Sequence, residues 1–177
     1  VQIAESHRKG IEAAKKKGIE PGHCFSVIMI GRLDDYLTEV AHDNKAQVKD
    51  DDLTKAGIAV TKRAYKIYKE KGYEAILLVA ALRGTYHMTE LAGADLIMSL
   101  HPKFQGPFLS PDIPKEKRID AEIPSDVIER LSTMSEFVKA YEPDGMTREE
   151  FVRYGGTQRT LTQFSEIGWK QLEGFSL

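Results

Sequence analysis

Short apolar runs alternate with longer periodic stretches along this chain. Residues 5–17 are rich in Ala, Glu, Lys and Ile and read as a helix stopped by Gly18. Pro21-Gly22 marks a turn. Residues 24–30 are apolar at nearly every position, and so short a run suits a buried strand better than a helix. A strand apolar on both faces is one that helices cover on both sides. Gly31-Arg32 closes the run, and Asp34-Asp35 open a helix to about Ala41. Residues 42–51 are polar and read as a loop or a frayed helix. Over residues 52–71 the pattern is helical again, with Ala56, Val60, Ala64 and Ile67 on one stripe. Lys62, Arg63, Lys66 and Lys69 lie mostly off that stripe and read as a solvated face, and Gly72 ends the helix.

A second strand is expected at residues 74–81, closed by Leu82-Arg83-Gly84. A short helix follows near residues 86–92, and a third strand at 95–100, ending at His101-Pro102. Five of the 7 prolines (Pro102, Pro107, Pro111, Pro114 and Pro124) then fall close together, which predicts a long loop. Ser125 is placed to cap a helix through about Tyr141. Thr147 and Glu150 fit a capping box, and a last helix is expected over residues 157–172. Nothing in this tail looks catalytic by itself.

Strands alternating with helices argue for parallel βαβ units, hence an α/β fold. Two architectures fit. One is an independent three-layer α/β domain. The other is part of a (β/α)8 TIM-type barrel, which needs eight strands and about 250 residues. The 177 residues suit one domain, in which residues 1–101 hold the strand–helix units and 102–177 the loop and terminal helices. Hydrophobic residues make up 41% and charged residues 29%, enough for a core and against disorder. Lys and Arg (25) nearly balance Asp and Glu (27), so charge gives no reason to expect nucleic acid or an anionic membrane as partner. The single Cys24 excludes an intrachain disulfide and a multi-cysteine zinc site, and its place at the start of a strand reads as a small buried hydrophobe. No apolar run approaches the ~20 residues of a membrane span, and the opening residues do not read as a secretory signal, so the cytoplasm is the default.

The chemistry is positional. Two consecutive strands each place an arginine beside a glycine at the C-terminal end, Gly31-Arg32 and Arg83-Gly84. Barrels and open α/β sheets put their sites at that end. A guanidinium fork matches phosphate oxygens, and glycine allows close backbone approach. The pair therefore reads as a phosphate or carboxylate clamp; the alternative is that each arginine pairs with an acidic neighbour such as Asp34 or Asp35. Met29, Gly31, Ala81 and Ser99 would line the pocket. His87 and Glu90 have the spacing of a metal pair, but no further ligand motif supports a metal. His101 follows the third strand and reads as a loop residue, with a place at the site mouth as the alternative. No P-loop, GxGxxG or G-x-S-x-G occurs.

Several stretches resemble the transaldolase family. Ile28-Met29-Ile30-Gly31-Arg32-Leu33-Asp34-Asp35 is similar to its sixth-strand motif, roughly F-V-G-R, a hydrophobic residue and Asp. Val79-Ala80-Ala81-Leu82-Arg83 resembles the seventh-strand G-A-S-F-R, and Ala92-Gly93-Ala94-Asp95-Leu96 the A-G-x-D that leads into the eighth strand. Ala56-Gly57-Ile58-Ala59-Val60 is a weaker match to the helix before strand seven, and the tail from Asp144 to Leu161 looks like that of a divergent bacterial branch. The motifs match in series, in the right order.

The resemblance implies a (β/α)8 barrel of class I aldolase type, of which strands six to eight and the C-terminal helices are present here. It implies no metal or organic cofactor. A lysine on the fourth strand forms a Schiff base with a ketose phosphate, and a three-carbon ketol unit passes to an aldose phosphate. That lysine and its assisting Asp and Glu would lie upstream of Val1, which then reads as the cut end of a barrel. The phosphate-binding arginines of the family fall on Arg32 and Arg83. Val27 and Ala81 stand where Ser is common, Gly84 where Asn is common, and Met29 where an aromatic is usual. These departures leave phosphosugar binding better supported than transfer. The alternative is a stand-alone, non-enzymatic α/β module for a phosphorylated ligand or partner protein. A half-barrel that dimerises, or that associates with the missing N-terminal part, is a third arrangement.

Overall fold

A computed structural model describes residues 1–175. The chain runs α1 (Gln2–Lys16), β1 (Phe25–Met29), α2 (Ile30–Asp43), α3 (Asp50–Leu53), α4 (Ala56–Lys71), β2 (Ile76–Ala80), α5 (Thr85–Glu90), β3 (Ile97–Met98) and α6 (Pro102–Phe108). It continues through α7 (Ser125–Leu131), α8 (Ser135–Tyr141), α9 (Arg148–Arg153) and α10 (Gly155–Thr162). A π-helical segment, Gln163–Trp169, and α11 (Lys170–Glu173) complete it. The strands form one parallel sheet in the order β1-β2-β3. Register aligns Val27 with Leu78 and Leu78 with Ile97 across the sheet. Among the described residues no helix is long and apolar enough to cross a membrane.

Alternation along the strands sorts the two faces. Leu77 and Val79 are buried, and Val79 packs with Ile30, Ile58, Leu82, Met88 and Leu91. The opposite face is open: Phe25 is 48% exposed, Val27 45% and Ile97 42%. The apolar character of β1 therefore does not mean two covered faces. A second core joins Leu37 and Ala41 of α2 to Leu53, Ala56 and Ala59, and to Val127, Leu131 and Phe137 of α7 and α8.

Several boundaries depart from the sequence pattern. β1 runs straight into α2, so Gly31 and Arg32 lie in the first turn of a helix rather than at a strand end. The stretch rich in proline contains α6, because Pro102 sits at the helix start, where its missing N–H costs nothing, and His101 caps it. Residues 125–141 form two helices with a break at residues 132–134, and Ser125 is the first helical residue, not the cap. Lys62 is not on a solvated face: its ammonium donates to Glu90 at 3.1 Å, to the Arg118 carbonyl at 2.8 Å and to the Ala121 carbonyl at 2.7 Å. It closes the loop that follows α6 over α4. Cys24 is half-buried. Gly72 ends α4 in the left-handed conformation (φ 60°), and the Thr147–Glu150 capping box forms.

Candidate functional site

The site forms where β1 and β2 deliver their C-terminal ends side by side. Met29 pairs with Ala80 in the register, so α2 starts next to the turn that follows β2. That turn is tight. Ala81 adopts φ 58°, a left-handed conformation that non-glycine residues rarely take. Gly31 makes the close approach possible. A Cβ there would press into the Ala81 carbonyl and lie 2.6 Å from Arg83 Cγ.

Each candidate arginine has a partner. The Arg83 guanidinium forks onto Asp35, Nε to Oδ1 at 3.1 Å and Nη2 to Oδ2 at 2.5 Å, and its Nη1 donates to the Ala81 carbonyl at 2.8 Å. The Arg83 and Asp35 side chains are 39% and 34% exposed, so the pair is a surface one. Arg32 donates to the side-chain carbonyl of Gln163 and lies 4.9 Å from the Phe164 ring centroid. No carboxylate pairs with Arg32 among the described residues. Arg159 donates to Glu39 through Nε at 2.8 Å, and its Nη1 lies 4.0 Å from Asp35. Arg32, Asp35 and Glu39 share one face of α2, which meets Arg159 of α10 and the start of the π-helical segment. Two arginines, Arg83 and Arg159, thus approach the Asp35 carboxylate, and Arg32 lies on the same helix face.

Beneath them lies a buried chain of hydrogen bonds. The Arg83 backbone N–H donates to His87 Nδ1 at 3.1 Å. Nδ1 therefore accepts, and the ring proton sits on Nε2, which donates to Asp34 Oδ2 at 2.9 Å. Asp34 Oδ1 accepts from the Gly57 N–H at 2.7 Å. His87 is 0% exposed and Asp34 6%. Burial raises the Asp34 carboxyl above its ordinary value, and the His87 hydrogen bond opposes that shift. Gly57 has no room for a side chain, since a Cβ would meet Asp34 and Ile30. The Tyr86 ring lies 4.2 Å from the His87 ring. Burial pushes the Tyr86 hydroxyl up to about 12, so at neutral pH it remains a donor.

The other expected residues fall as follows. Met29 and Ala81 are half-buried at the ends of β1 and β2, and Gly31 is buried. Ser99 is exposed beyond β3, its N–H donating to the Val79 carbonyl at 2.8 Å. His87 and Glu90 do not converge: Glu90 accepts from Lys62 and Arg118. The described residues hold no cluster of three or more His, Cys, Asp and Glu suited to a metal. His101 caps α6 from the surface. The tail contributes more than its sequence suggests. Arg159 and Gln163, four apart in sequence, are a signal that could have found it. The Asp34–His87 pair joins residues distant in sequence and has no local signal.

The sequence matches the transaldolase/fructose-6-phosphate aldolase family over residues 6–149. The chain belongs to that family. A transaldolase of Fusarium oxysporum f. sp. lycopersici is 31% identical over 108 residues, 60% of this chain and 32% of the relative. One from Gibberella intermedia is 32% identical over 92 residues, 52% of this chain and 27% of the relative. One from Acidobacterium capsulatum is 27% identical over 123 residues, 68% of this chain and 37% of the relative. The chain thus matches about a third of the length of these relatives. The family match covers β1, β2 and β3 with the arginines that follow the first two.

Proposed function

We propose that this chain is the phosphate-binding part of a transaldolase-type class I aldolase. Arg32 and Arg83 hold the phosphate of a ketose or aldose phosphate, and a lysine outside this chain carries the Schiff base. The observation that carries the reading is the delivery of two guanidiniums to one end of the sheet by consecutive parallel strands. In barrels that end is where phosphate sites lie.

Magnitudes allow an incoming anion to take both arginines. An exposed ion pair such as Arg83–Asp35 is worth about 0–1 kcal/mol. A phosphate dianion brings more charge and more acceptor oxygens than one carboxylate, so it competes for the same fork. Among the described residues Arg32 is held by an amide carbonyl and a ring. Gly31 and Ala81 add little bulk to the approach, which Met29 and Ser99 would also line. Met29, the residue before α2, has no acceptor to cap the helix, so the positive end of its dipole adds to the field.

The covalent chemistry belongs elsewhere. A deprotonated lysine amine attacks the ketose carbonyl and loses water to give an iminium. The iminium accepts the electron pair when the neighbouring C–C bond breaks, and the resulting enamine adds to an acceptor aldehyde. Among the described residues no lysine stands at the C-terminal end of a strand; Lys103 lies in α6. The open face bearing Phe25, Val27 and Ile97 supports a place in a larger sheet, as the C-terminal portion of a (β/α)8 barrel.

Borohydride reduction in the presence of fructose 6-phosphate tests this division of labour. The chain should show no mass gain, whereas a longer gene product with the remaining strands should gain the reduced adduct. An adduct on this chain would place the nucleophile within it and overturn the reading.

A further inference from the structure

The Asp34–His87 pair is buried, yet it ends on the backbone of the arginine that the proposed function uses. We propose that His87 is the positioning residue of the phosphate site: its Nδ1 fixes the Arg83 backbone, and Asp34 fixes the tautomer that lets it do so. The inference rests on the phosphate-binding role of Arg83.

Three observations carry it. First, the contact is specific to one protonation form. Only a ring with a bare Nδ1 accepts the Arg83 N–H at 3.1 Å, and Asp34 at 2.9 Å from Nε2 selects that form. Second, Arg83 stands two residues after Ala81, which adopts a rarely used backbone conformation at φ 58°. Such conformations persist only where the surroundings hold them, and they gather at functional sites. The His87 bond is one such restraint. The stacking of the Arg83 side chain over Gly31 is another. Third, Asp34 is itself held from two sides, by Gly57 of α4 and by His87 of α5. The relay ties the two helices that flank β2 to the loop between β2 and α5. A histidine that merely filled space here would need neither a fixed tautomer nor a carboxylate, and burying both without their hydrogen bonds is costly.

The two ring nitrogens can be tested apart. In His87→Asn the amide oxygen takes the place of Nδ1 and can still accept the Arg83 N–H, but the side chain no longer reaches Asp34. In His87→Gln the amide nitrogen takes the place of Nε2 and can still donate to Asp34, but the acceptor for Arg83 is lost. Inorganic phosphate is titrated into the wild-type chain, both variants and Arg83→Met, with thermal melting of each.

The expected result is a phosphate Kd raised about tenfold in His87→Gln, the cost of one mispositioned charge-assisted contact, and raised no more than about threefold in His87→Asn. Equal affinity in wild type and both variants overturns the proposal. So does equal weakening of both that follows their loss of melting temperature, which is what a packing role produces. Failure of the wild type to bind phosphate, or no effect of Arg83→Met, contradicts the function proposed above instead. Should neither variant fold, nitrogen NMR of the wild type decides. The His87 ring should show the proton on Nε2, and its Nδ1 signal should move with phosphate at the same Kd as Arg83 Nε. A ring signal that does not move overturns the proposal.

Discussion

Gly31 is the residue on which the geometry of the site turns. The Arg83 side chain and the Ala81 carbonyl both occupy space that any Cβ at position 31 would take. Gly31→Ala must therefore push the turn after β2 away from the start of α2. We expect a loss of roughly 1–3 kcal/mol of stability, seen in chemical denaturation, together with weaker phosphate binding. Unchanged values in both would mean the approach is looser than described. At this scale part of the site is legible from sequence. Arg32 and Arg83 stand out because a basic residue beside glycine at the end of an apolar run is unusual. Asp34 and His87 do not, since nothing in a single sequence says that residues 53 apart share a proton. Asp35 is visible in sequence as a neighbour that could engage an arginine, and Arg83 takes it.

The order of strands and helices follows from the apolar runs, because a buried strand and an amphipathic helix bury different patterns. The boundaries depend on what packs above them. α2 begins at Ile30 and not near Asp34 because Ile30 turns into the core beside Val79 and Leu82. Lys62 looks solvent-facing by period alone, but the loop after α6 supplies two carbonyls and Glu90 to receive it. The two-helix break at residues 132–134 leaves Met134 in the core with Leu131 and Phe137.

Elements are also joined by charge. Asp52, at the end of α3 and 2% exposed, accepts from Arg130 of α7 at 2.7 and 2.8 Å. The guanidinium holds its carboxyl at about 2, below the ~3.9 of an unfolded chain. A carboxyl depressed in the folded state stabilises above its unfolded value, and that contribution is lost as pH falls from ~4 toward ~2. Arg130→Met should cost about 3 kcal/mol at neutral pH, because it strands a buried carboxylate. The gap between the two melting curves should narrow as pH approaches 2. A gap independent of pH would show that packing of the Arg130 stem, not its charge, is what matters.

As a whole, the molecule has one covered sheet face and one open one. Parallel sheets are ordinarily covered on both sides. Phe25, Val27 and Ile97 lie on the open face, and among the described residues β1 and β3 are the edges of the sheet. Such a surface agrees with the proposed place of this sheet in a barrel. The site end is different. There the tail folds back, and Gln163, Phe164 and Arg159 close over the start of α2. The residues proposed to hold the phosphate therefore all lie within this chain, although the chain matches about a third of the length of its relatives.

That grip is the central claim. Titrating fructose 6-phosphate, with fructose as the unphosphorylated control, into the wild-type chain and into Arg32→Met and Arg83→Met tests it directly. Binding of the phosphate ester but not of fructose is expected, with an affinity at least about tenfold lower in each folded variant. Equal binding of fructose and its phosphate, or an Arg83→Met chain that binds as the wild type does, would contradict it.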